Sequence, residues 1–405
     1  MADGGLISVE AARAAVLDGL RATPAELVAL SEGWGRVLAQ DVVARRTSPP
    51  DDVSAMDGYA LRAADGHAGA VLRVVGEAPA GHPWAGTVDA GEAVRLFTGS
   101  VVPAGADTVL LQEDATREGG SVRVDEAARA ARHIRRAGQD FRTGDVVLRR
   151  GRRLGARDVG LAAAADHPWL AVHRRPRVAI LATGDEISMP GEPVGPGGIV
   201  SSNSHAIAAL VRAAGGEPVL LPVARDDRAS LEAAADSVAG HDLLVTIGGA
   251  SVGDHDLVHA ALTARGMRTG FWKVAMRPGK PLMSGRLGEV AVLGLPGNPV
   301  SSLVCSVLFL LPALRVLLGG VAAGPPLVRA RLGAAVRAND HRADHLRASL
   351  ENGADGLVVT PFAVQDSAML AALARADALL VRAPHASALD VGAEVEVIRL
   401  DDAGL

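Results

Sequence analysis

Polar or glycine-rich loops follow four predicted strands in the middle of this 405-residue chain. The first, ATGDEI, places Asp185 and Glu186 directly after a strand that ends near Ala182. Carboxylates in such a loop can hold a divalent cation or a ligand hydroxyl, although a turn with a helix cap is the more common role of this pattern. The second, IGGASVGDHD, lets backbone N–H groups approach a phosphate, and a purely structural glycine turn explains it equally well.

The third and fourth loops bring positive charge and a helix start. KVAMRPGKP holds Lys273, Arg277 and Lys280 within eight positions, and its prolines stiffen the segment. Fixed cations suit an anionic ligand, whereas a solvated charge cluster is the usual alternative. In LPGNPVSS, Gly297 permits a tight turn, Asn298 can cap a helix and Pro299 suits its first position. The positive end of that helix dipole would then face the ligand.

The surrounding segment, from Arg177 to about Gly319, alternates short apolar strands with amphipathic helices. This order predicts a parallel sheet covered by helices on both faces. Ligands of such sheets bind beyond the carboxyl ends of the strands, so all four loops are predicted to lie at one edge. Carboxylates, cations and helix starts together favour an anionic, phosphorylated ligand bound with Mg²⁺.

The flanking segments differ in pattern. Apolar spacing after a Ser8 cap predicts an opening amphipathic helix, and residues 155–165 return to helix. Between about Ser48 and Arg150, short alternating runs broken by Gly, Pro and Asp predict a β-rich insertion, and residues 327–400 predict a second β-rich module. Asp57, Thr98 and Asp140 lie in the insertion, in sequences that by themselves are ordinary turns.

Composition excludes several classes of protein. A formal net charge of −5 and only ten Phe, Trp and Tyr residues argue against nucleic-acid binding through a basic surface or aromatic stacking. The single cysteine, Cys305, excludes an internal disulfide and favours a reducing compartment, where it is expected to be a buried apolar side chain. The amino terminus has no secretory signal pattern. The apolar run Val300–Leu314, interrupted by Pro312, is predicted to be a core helix, so we expect a cytoplasmic protein with no membrane association.

Two other motifs have weaker support. GASVG matches the nucleophile elbow of α/β-hydrolases, with Ser251 as the nucleophile, but the histidines that would complete a triad lie only in the tail module. His255 and His259 have the spacing of a zinc-binding helix. Asp256 stands where the general-base Glu would belong, so exposed helix histidines are the preferred interpretation.

Taken in order, SPPDDVSAMDGYAL, RLFTGSVVPAGADTVLLQED, ATGDEI, GGASVGDHD, FWKVAMRPGKP and GLPGNPVSS resemble the molybdopterin molybdenumtransferases of the MoeA type, relatives of the carboxyl-terminal part of gephyrin. The resemblance runs from about residue 6 to 400. It implies a multidomain α/β and β fold in an elongated homodimer. The implied domains are a discontinuous mixed helix/strand domain (residues 6–45 and 146–175), a β-rich inserted domain (46–145), a central α/β molybdopterin-binding-like domain with a mostly parallel sheet covered by helices (176–322) and a C-terminal β-barrel-like domain (325–401).

The function implied by the resemblance is a step in molybdenum cofactor biosynthesis. Molybdate is inserted into the dithiolene of adenylylated molybdopterin, AMP is released, and Mg²⁺ is required. The resemblance also implies a possible molybdopterin adenylyltransferase partner. Two alternatives remain open: the chain could itself be such an adenylyltransferase, or a non-catalytic scaffold like gephyrin.

The resemblance and the chemistry of the loops together assign site residues in three sets. The catalytic set comprises Asp57, Thr98, Asp140, Glu186, Asp226, Asp256, Lys273, Arg277 and Lys280. The set that binds the substrate's phosphate and nucleotide comprises Gly248, Gly249, Ser251, Gly253, Pro296, Gly297, Asn298 and Pro299, and the metal ligands are Glu186 and Asp256. Asp57, Thr98 and Asp140 would reach the site from the partner subunit. Arg277 replaces a lysine of the best-known members, and either Asp226 or Asp227 could face the site.

Overall fold

The computed structural model describes residues 6–248 and 257–405. The chain divides into two compact units, Leu27–Ala171 and Met1–Glu26 with Val172–Leu405. The chain crosses between the units within strands Ala25–Ala29 and Trp169–His173. Each unit is described in turn.

The unit Leu27–Ala171 is built around a six-stranded sheet. Its strands, in spatial order, are Thr108–Leu111, Gly58–Leu61, Glu92–Leu96, Val71–Ala78, Ser121–Val124 and Ala115–Glu118. Two small sheets pair Val42–Val43 with Val146–Leu148 and Val53–Ser54 with Ile134–Arg135, and one helix spans Ala156–Ala164. Tyr59, Leu61, Leu72 and Leu110 lie in the core of the large sheet. The β-rich character predicted for this part of the chain is therefore present.

The second unit contains the α/β sheet. In spatial order its strands are Glu217–Leu220, Arg177–Ala182, Leu243–Ile247, Val290–Leu295, Pro281–Leu287 and Met267–Lys273. The first four are parallel, and each of the last two runs antiparallel to the strand before it in this order. Met267–Lys273 therefore points in the same direction as the parallel strands. As a result, Lys273 lies at the edge where the parallel strands end.

Helices cover both faces of this sheet. They span Val9–Leu17, Asn203–Ala214, Arg228–Asp236, Leu257–Ala264 and Pro299–Leu317, the last in three consecutive helical segments. Ile180 and Leu293 pack with Val211 on one face, while Leu181 packs with Leu231 and Leu262 on the other. Ser8 accepts a hydrogen bond from the Ala11 N–H (3.1 Å), as expected for the predicted cap of the first helix.

The apolar helix Pro299–Leu317 continues through Pro312, where the sequence showed an interruption of the apolar run. A π turn, Ser306–Leu310, precedes the helical segment Leu311–Leu317 that contains the proline, and such a turn can accommodate the missing N–H donor. Among the described residues, this helix alone is long and apolar enough to cross a bilayer, and 83% of its apolar window is buried inside the protein. That burial is typical of a core helix, which is what the sequence predicts.

The end of the chain forms a closed five-stranded barrel. Its strands are Val328–Leu332, Ala343–Gly353, Gly356–Pro361, Ala378–Arg382 and Glu394–Arg399. The long strand Ala343–Gly353 pairs with both Gly356–Pro361 and Ala378–Arg382, which closes the barrel. A further short strand, Met276–Arg277, runs parallel to the start of Ala343–Gly353 and connects the cationic loop of the α/β sheet to the barrel.

His345, in the long barrel strand, makes the stability of the protein sensitive to acid. The residue is 3% exposed and its Nδ1 has no hydrogen-bond partner among the described residues. Burial lowers its pKa to about 4, although the charges of Asp344 and Glu10 oppose this and Arg13 adds to it. The unfolded chain therefore binds a proton near the ordinary pKa of 6.5, before the folded chain does.

We expect the free energy of unfolding to fall by about 2 kcal/mol between pH 7 and pH 5 on account of His345 alone. Urea unfolding at the two pH values should show a smaller fall in His345→Gln than in the wild type, and no such reduction in the exposed control His341→Gln. Equal pH dependence in His345→Gln and the wild type would contradict the assignment.

Candidate active site at the carboxyl edge of the sheet

Three of the predicted loops meet where the parallel strands end. The Thr183 N–H donates to the Ile247 carbonyl (3.1 Å), and the Gly248 N–H donates to the Leu295 carbonyl (3.2 Å). A Cβ atom on Gly297 would lie 3.7 Å from the Gly248 Cα. The loops that begin at residues 183, 248 and 296 are therefore direct neighbours, as their common position at one edge predicted.

Gly184 leaves open the space that the Glu186 carboxylate occupies. Its φ of +135° is in a region that residues with a Cβ rarely adopt, and a Cβ there would collide with the carboxylate of Glu186. The Gly184 N–H also donates to the Ala224 carbonyl (3.2 Å), which brings the loop before helix Arg228–Asp236 alongside. A glycine at this position thus lets Glu186 fold back over the loop toward Asp226.

Asp185, Glu186 and Asp226 form an acidic corner at this edge. The Asp226 N–H donates to Asp185 Oδ1 (3.3 Å). Partial desolvation, and then the negative charges of Asp185 and Glu186, raise the pKa of Asp226. Asp227, by contrast, accepts a hydrogen bond from the Ser230 N–H (2.8 Å) and caps the next helix. Of the two candidates left open by the sequence, the structure places Asp226 beside the other carboxylates.

Repulsion among the carboxylates of the acidic corner should lower the free energy of unfolding of the ligand-free protein. Because the folded state raises the pKa of Asp226, the cost is fully present at pH 7, where the carboxyl is ionised, and it disappears as the pH falls below the ordinary Asp range. We expect Asp226→Asn to be slightly more stable than the wild type at pH 7 and no more stable at pH 3, as measured by urea unfolding. Asp227→Ala is the contrasting variant, because loss of its cap should destabilise by about 1 kcal/mol. Lower stability of Asp226→Asn at pH 7 would contradict mutual repulsion in the acidic corner.

The chemistry of the acidic corner fits Mg²⁺, which prefers carboxylate oxygens. A divalent cation would relieve the repulsion that raises the pKa of Asp226. The described residues contain no group of three or more His, Cys, Asp or Glu side chains that could hold a metal ion by themselves. Mg²⁺ commonly binds through one or two carboxylates together with water and substrate phosphate oxygens, and the corner meets that requirement.

The helix that follows LPGNP is held by other segments rather than by its own cap. Pro299 is at the start of the helix and Asn298 is at the N-cap position, as predicted, but the Asn298 side chain makes no capping hydrogen bond. Instead, the Val300 N–H donates to the Ser367 carbonyl (3.1 Å) in the barrel domain. Asn203 Nδ2 donates to the Gly297 carbonyl (2.6 Å). The two contacts fix the loop from both sides.

The cationic loop, residues 274–280, is closed by a hydrogen bond from the Val274 N–H to the Lys280 carbonyl (3.0 Å). Gly279, with φ +105°, packs against the sulfur of Cys305, which is fully buried. Burial raises the pKa of the Cys305 thiol, in keeping with its predicted role as an apolar core residue. Among the described residues, no carboxylate forms a salt bridge with Lys273 or Lys280, so both ammonium groups can neutralise a ligand.

Arg277 has a different environment. Its Nε and Nη2 donate to the two carboxylate oxygens of Asp344 (3.0 and 3.1 Å), a bidentate pair with the long barrel strand. The sequence grouped Arg277 with Lys273 and Lys280 as anion ligands. The structure instead commits most of its hydrogen-bonding fork to a carboxylate of the barrel, which a lysine could engage only as a point charge.

In the other unit, the structure joins two of the three predicted residues. The N–H and the hydroxyl of Thr98 both donate to Asp57 Oδ1 (2.7 and 2.8 Å). These two bonds, the backbone one first, lower the pKa of Asp57 and keep it ionised. Asp140 lies in a separate turn, where its N–H donates to the Ser48 carbonyl (3.0 Å), and no hydrogen bond within the described ranges joins it to Asp57 or Thr98.

Several predictions lie outside the described residues, namely those on Gly249, Ser251, Gly253, His255 and Asp256. Sequence reasoning also missed contributors. Asn203 could have been suspected from its place at a predicted helix start, whereas Ser367 and Asp344 lie far along the chain in the barrel, where no local pattern marks them.

Comparison with known proteins agrees with these observations. Residues 7–165 match the model of the MoeA N-terminal region (domain I and II), residues 179–316 that of a probable molybdopterin binding domain, and residues 329–400 that of the MoeA C-terminal region (domain IV). A molybdopterin molybdenumtransferase of Nostoc sp. is 36% identical over 388 residues, which cover 93% of this chain and 88% of the relative. The chain belongs to the MoeA family.

Other members of the MoeA family are similarly close. Molybdopterin molybdenumtransferase 2 of Mycobacterium tuberculosis is 40% identical over 325 residues, 77% of this chain and 80% of the relative. The crystal structure of a MoeA protein from Pyrococcus horikoshii superimposes with a TM-score of 0.84 at 31% identity and covers 98% of this chain and 99% of that one. The predicted family and the multidomain α/β fold, with its terminal barrel, are thereby confirmed.

Proposed function

We propose that this protein inserts molybdate into the dithiolene of adenylylated molybdopterin and releases AMP, forming the molybdenum cofactor. The observation that carries the proposal is the 36% identity over 93% of the chain with a relative named molybdopterin molybdenumtransferase. The carboxyl edge supports it independently, because it combines an acidic corner, two lysines that form no salt bridge with a described residue, and a helix start within one sheet. We also infer a cytoplasmic location, as the sequence predicts.

The proposed reaction balances without oxidation or reduction. Two molybdenum–sulfur bonds form, and two oxo ligands of molybdate leave as water after taking up protons, two of them from the dithiol. The phosphoanhydride bond to the adenylate breaks with the consumption of one water, and AMP leaves. The reacting sulfurs and oxygens all belong to the substrates. The chain's only cysteine is buried beneath the cationic loop, which agrees with a reaction that needs no protein thiol.

In the proposed reaction, the positively charged residues of the carboxyl edge bind the anionic substrates. Lys273 and Lys280 bind molybdate and phosphate oxygens, with Arg277 reduced to a contribution of charge because its fork binds Asp344. The helix that starts at Pro299 has the positive end of its dipole at the same edge, where it would favour a phosphate. The phosphate-binding set predicted from the sequence includes this helix start: Gly248, Gly249, Ser251, Gly253, Pro296, Gly297, Asn298 and Pro299.

In this proposal Glu186 and Asp256 hold Mg²⁺, and Asp226 adds negative charge beside them. When bound, the metal neutralises charge on the phosphoanhydride oxygens. The Glu186 carboxylate lies over Gly184, in space that a side chain at position 184 would fill.

We further propose a homodimer in which Asp57, Thr98 and Asp140 of one subunit complete the carboxyl edge of the other. Asp57, held by its two bonds from Thr98, would present an ionised carboxylate there. A molybdopterin adenylyltransferase is the proposed partner that supplies the adenylylated substrate.

Mixing two inactive variants tests the shared site. In a random mixture of Asp57→Asn and Glu186→Gln subunits, half of the dimers are mixed, and one of the two sites in each mixed dimer is intact if the residues come from different subunits. We expect about a quarter of the wild-type rate of AMP release. The control is a mixture of Glu186→Gln with a Glu186→Gln, Asp57→Asn double variant, which has no intact site. If the first mixture is as inactive as the control, Asp57 and Glu186 do not belong to one active site that two subunits form.

The activity itself is tested by AMP release from adenylylated molybdopterin on addition of molybdate and Mg²⁺. Molybdate-dependent release is expected, whereas AMP formation that ignores molybdate would contradict the proposal. Incubation with molybdopterin and ATP separates the adenylyltransferase alternative, which requires adenylate transfer from ATP. A pure scaffold would show neither activity, and a hydrolase would lose ester cleavage in Ser251→Ala.

A further inference from the structure

A cavity of about 430 Å³ lies at one end of the barrel. Three arginines and one carboxylate line it, namely Arg277, Arg337, Arg382 and Asp344, together with apolar side chains that include Leu346 and Phe362. Apart from Arg277, none of its lining residues belongs to the carboxyl edge of the sheet. The cavity is thus a separate feature of the barrel domain.

The cavity has an excess of positive charge. Asp344 is its only carboxylate, and both oxygens of Asp344 already accept hydrogen bonds from Arg277. The nearby carboxylate of Asp340 is taken by Arg342 (2.6 Å). Among the described residues, none forms a salt bridge with Arg337 or Arg382. The charges of both guanidinium groups are therefore available to an anionic ligand.

Arg382 is buried although it forms no salt bridge with a described residue. It is 4% exposed and lies directly across the strand pair from Asp344. Its Nη2 donates to the Ser387 carbonyl, but its Nη1 is buried without a hydrogen-bond partner among the described residues. Burial lowers the pKa of Arg382, and the attraction of Asp344 opposes that effect. A buried donor without an acceptor costs stability, and Arg382 is among the residues that line the cavity.

The size and lining of the cavity indicate the kind of ligand. Its volume is within the range of small-molecule sites and exceeds what a lone inorganic oxyanion fills. Guanidinium forks match the geometry of phosphate oxygens. The apolar side chains that share the lining suit an uncharged organic group.

We propose that this barrel cavity binds an organic phosphate monoester, whose dianion is held by Arg337 and Arg382. The proposal does not depend on the reaction proposed above, because it concerns a different part of the unit and is tested by binding alone.

Isothermal titration calorimetry with AMP as the probe tests the proposal. The titration uses the full-length Lys280→Ala protein, in which binding at the carboxyl edge is weakened, and variants made in that background. We expect AMP to bind, Arg337→Ala to weaken binding about tenfold and Arg382→Gln to weaken it at least as much, since each removes a charge-assisted hydrogen bond. Arg375→Ala removes an exposed arginine of the same domain outside the cavity and should leave the affinity unchanged.

Two further probes show which part of AMP the cavity recognises. Adenosine should not bind measurably, and inorganic phosphate should bind more weakly than AMP but compete with it. Adenosine binding as tight as AMP, equal affinities of Arg337→Ala and Arg375→Ala, or no AMP binding at all would each overturn the proposal. Arg337 is exposed, so its replacement keeps the test decisive even if Arg382→Gln fails to fold.

Discussion

Glu186→Gln is expected to slow molybdate-dependent AMP release about 100-fold, the usual effect of removing one preorganised electrostatic group from an active site. The variant keeps the size of the side chain and loses only its charge. Since Glu186 lies with Asp185 and Asp226 in the acidic corner, the loss should also weaken the dependence of the rate on Mg²⁺. Steady-state rates of AMP release at several Mg²⁺ concentrations provide the measurement.

The matched control for this prediction is Glu217→Gln. Glu217 is an exposed glutamate at the start of strand Glu217–Leu220, at the opposite edge of the same sheet. Its replacement should leave the rate within about twofold of the wild type, because surface changes away from a site have little effect. Comparable losses in both variants would point to a general effect of charge, and an undiminished rate in Glu186→Gln would remove Glu186 from the mechanism.

Arg347→Ala is expected to lower the free energy of unfolding by about 3 kcal/mol, because it removes a large, fully buried side chain together with its hydrogen bonds to three backbone or side-chain acceptors. Arg347 is 1% exposed and is one of the largest fully buried side chains of the barrel strands. Its Nε donates to Gln365 Oε1 (3.3 Å), its Nη1 to the Met369 carbonyl (3.3 Å) and its Nη2 to the Val364 carbonyl (3.4 Å). Urea unfolding followed by circular dichroism measures the loss.

Arg347→Ala should also disturb the start of the Pro299 helix at the carboxyl edge of the sheet. The loop that Arg347 holds contains Ser367, whose carbonyl accepts from the Val300 N–H at the start of the Pro299 helix. Arg347→Lys, which keeps the charge but has no planar fork, should be intermediate in stability. Arg331→Ala, on an exposed barrel residue whose side chain donates to the Gly392 carbonyl, is the control and should cost less than about 1 kcal/mol. Equal stability of Arg347→Ala and Arg331→Ala would contradict the role assigned to Arg347.

Local sequence patterns were sufficient for much of the fold. The run VLRVVGEA is the strand Val71–Ala78, and the Ser8 cap begins the helix Val9–Leu17, because alternation and capping depend on residues only a few positions apart. The order of strands and helices after Arg177 also sufficed to place the polar loops at one edge, since parallel strands joined by helices end on the same side. The adjacency of Gly248 and Gly297 follows from that rule.

The tertiary structure decided which groups each polar side chain actually meets. Arg277 lies among lysines in the sequence, yet it binds Asp344, 67 residues later, because a short strand pairs the two segments. The start of the Pro299 helix is capped by the barrel carbonyl of Ser367 and not by Asn298 beside it. Asp226 and Asp227 are indistinguishable by type, and only the fold assigns one to the acidic corner and the other to a helix cap. Hydrogen bonds and ion pairs form between groups within a few ångströms of each other in space, and local sequence patterns carry no record of separations that only the closed fold creates.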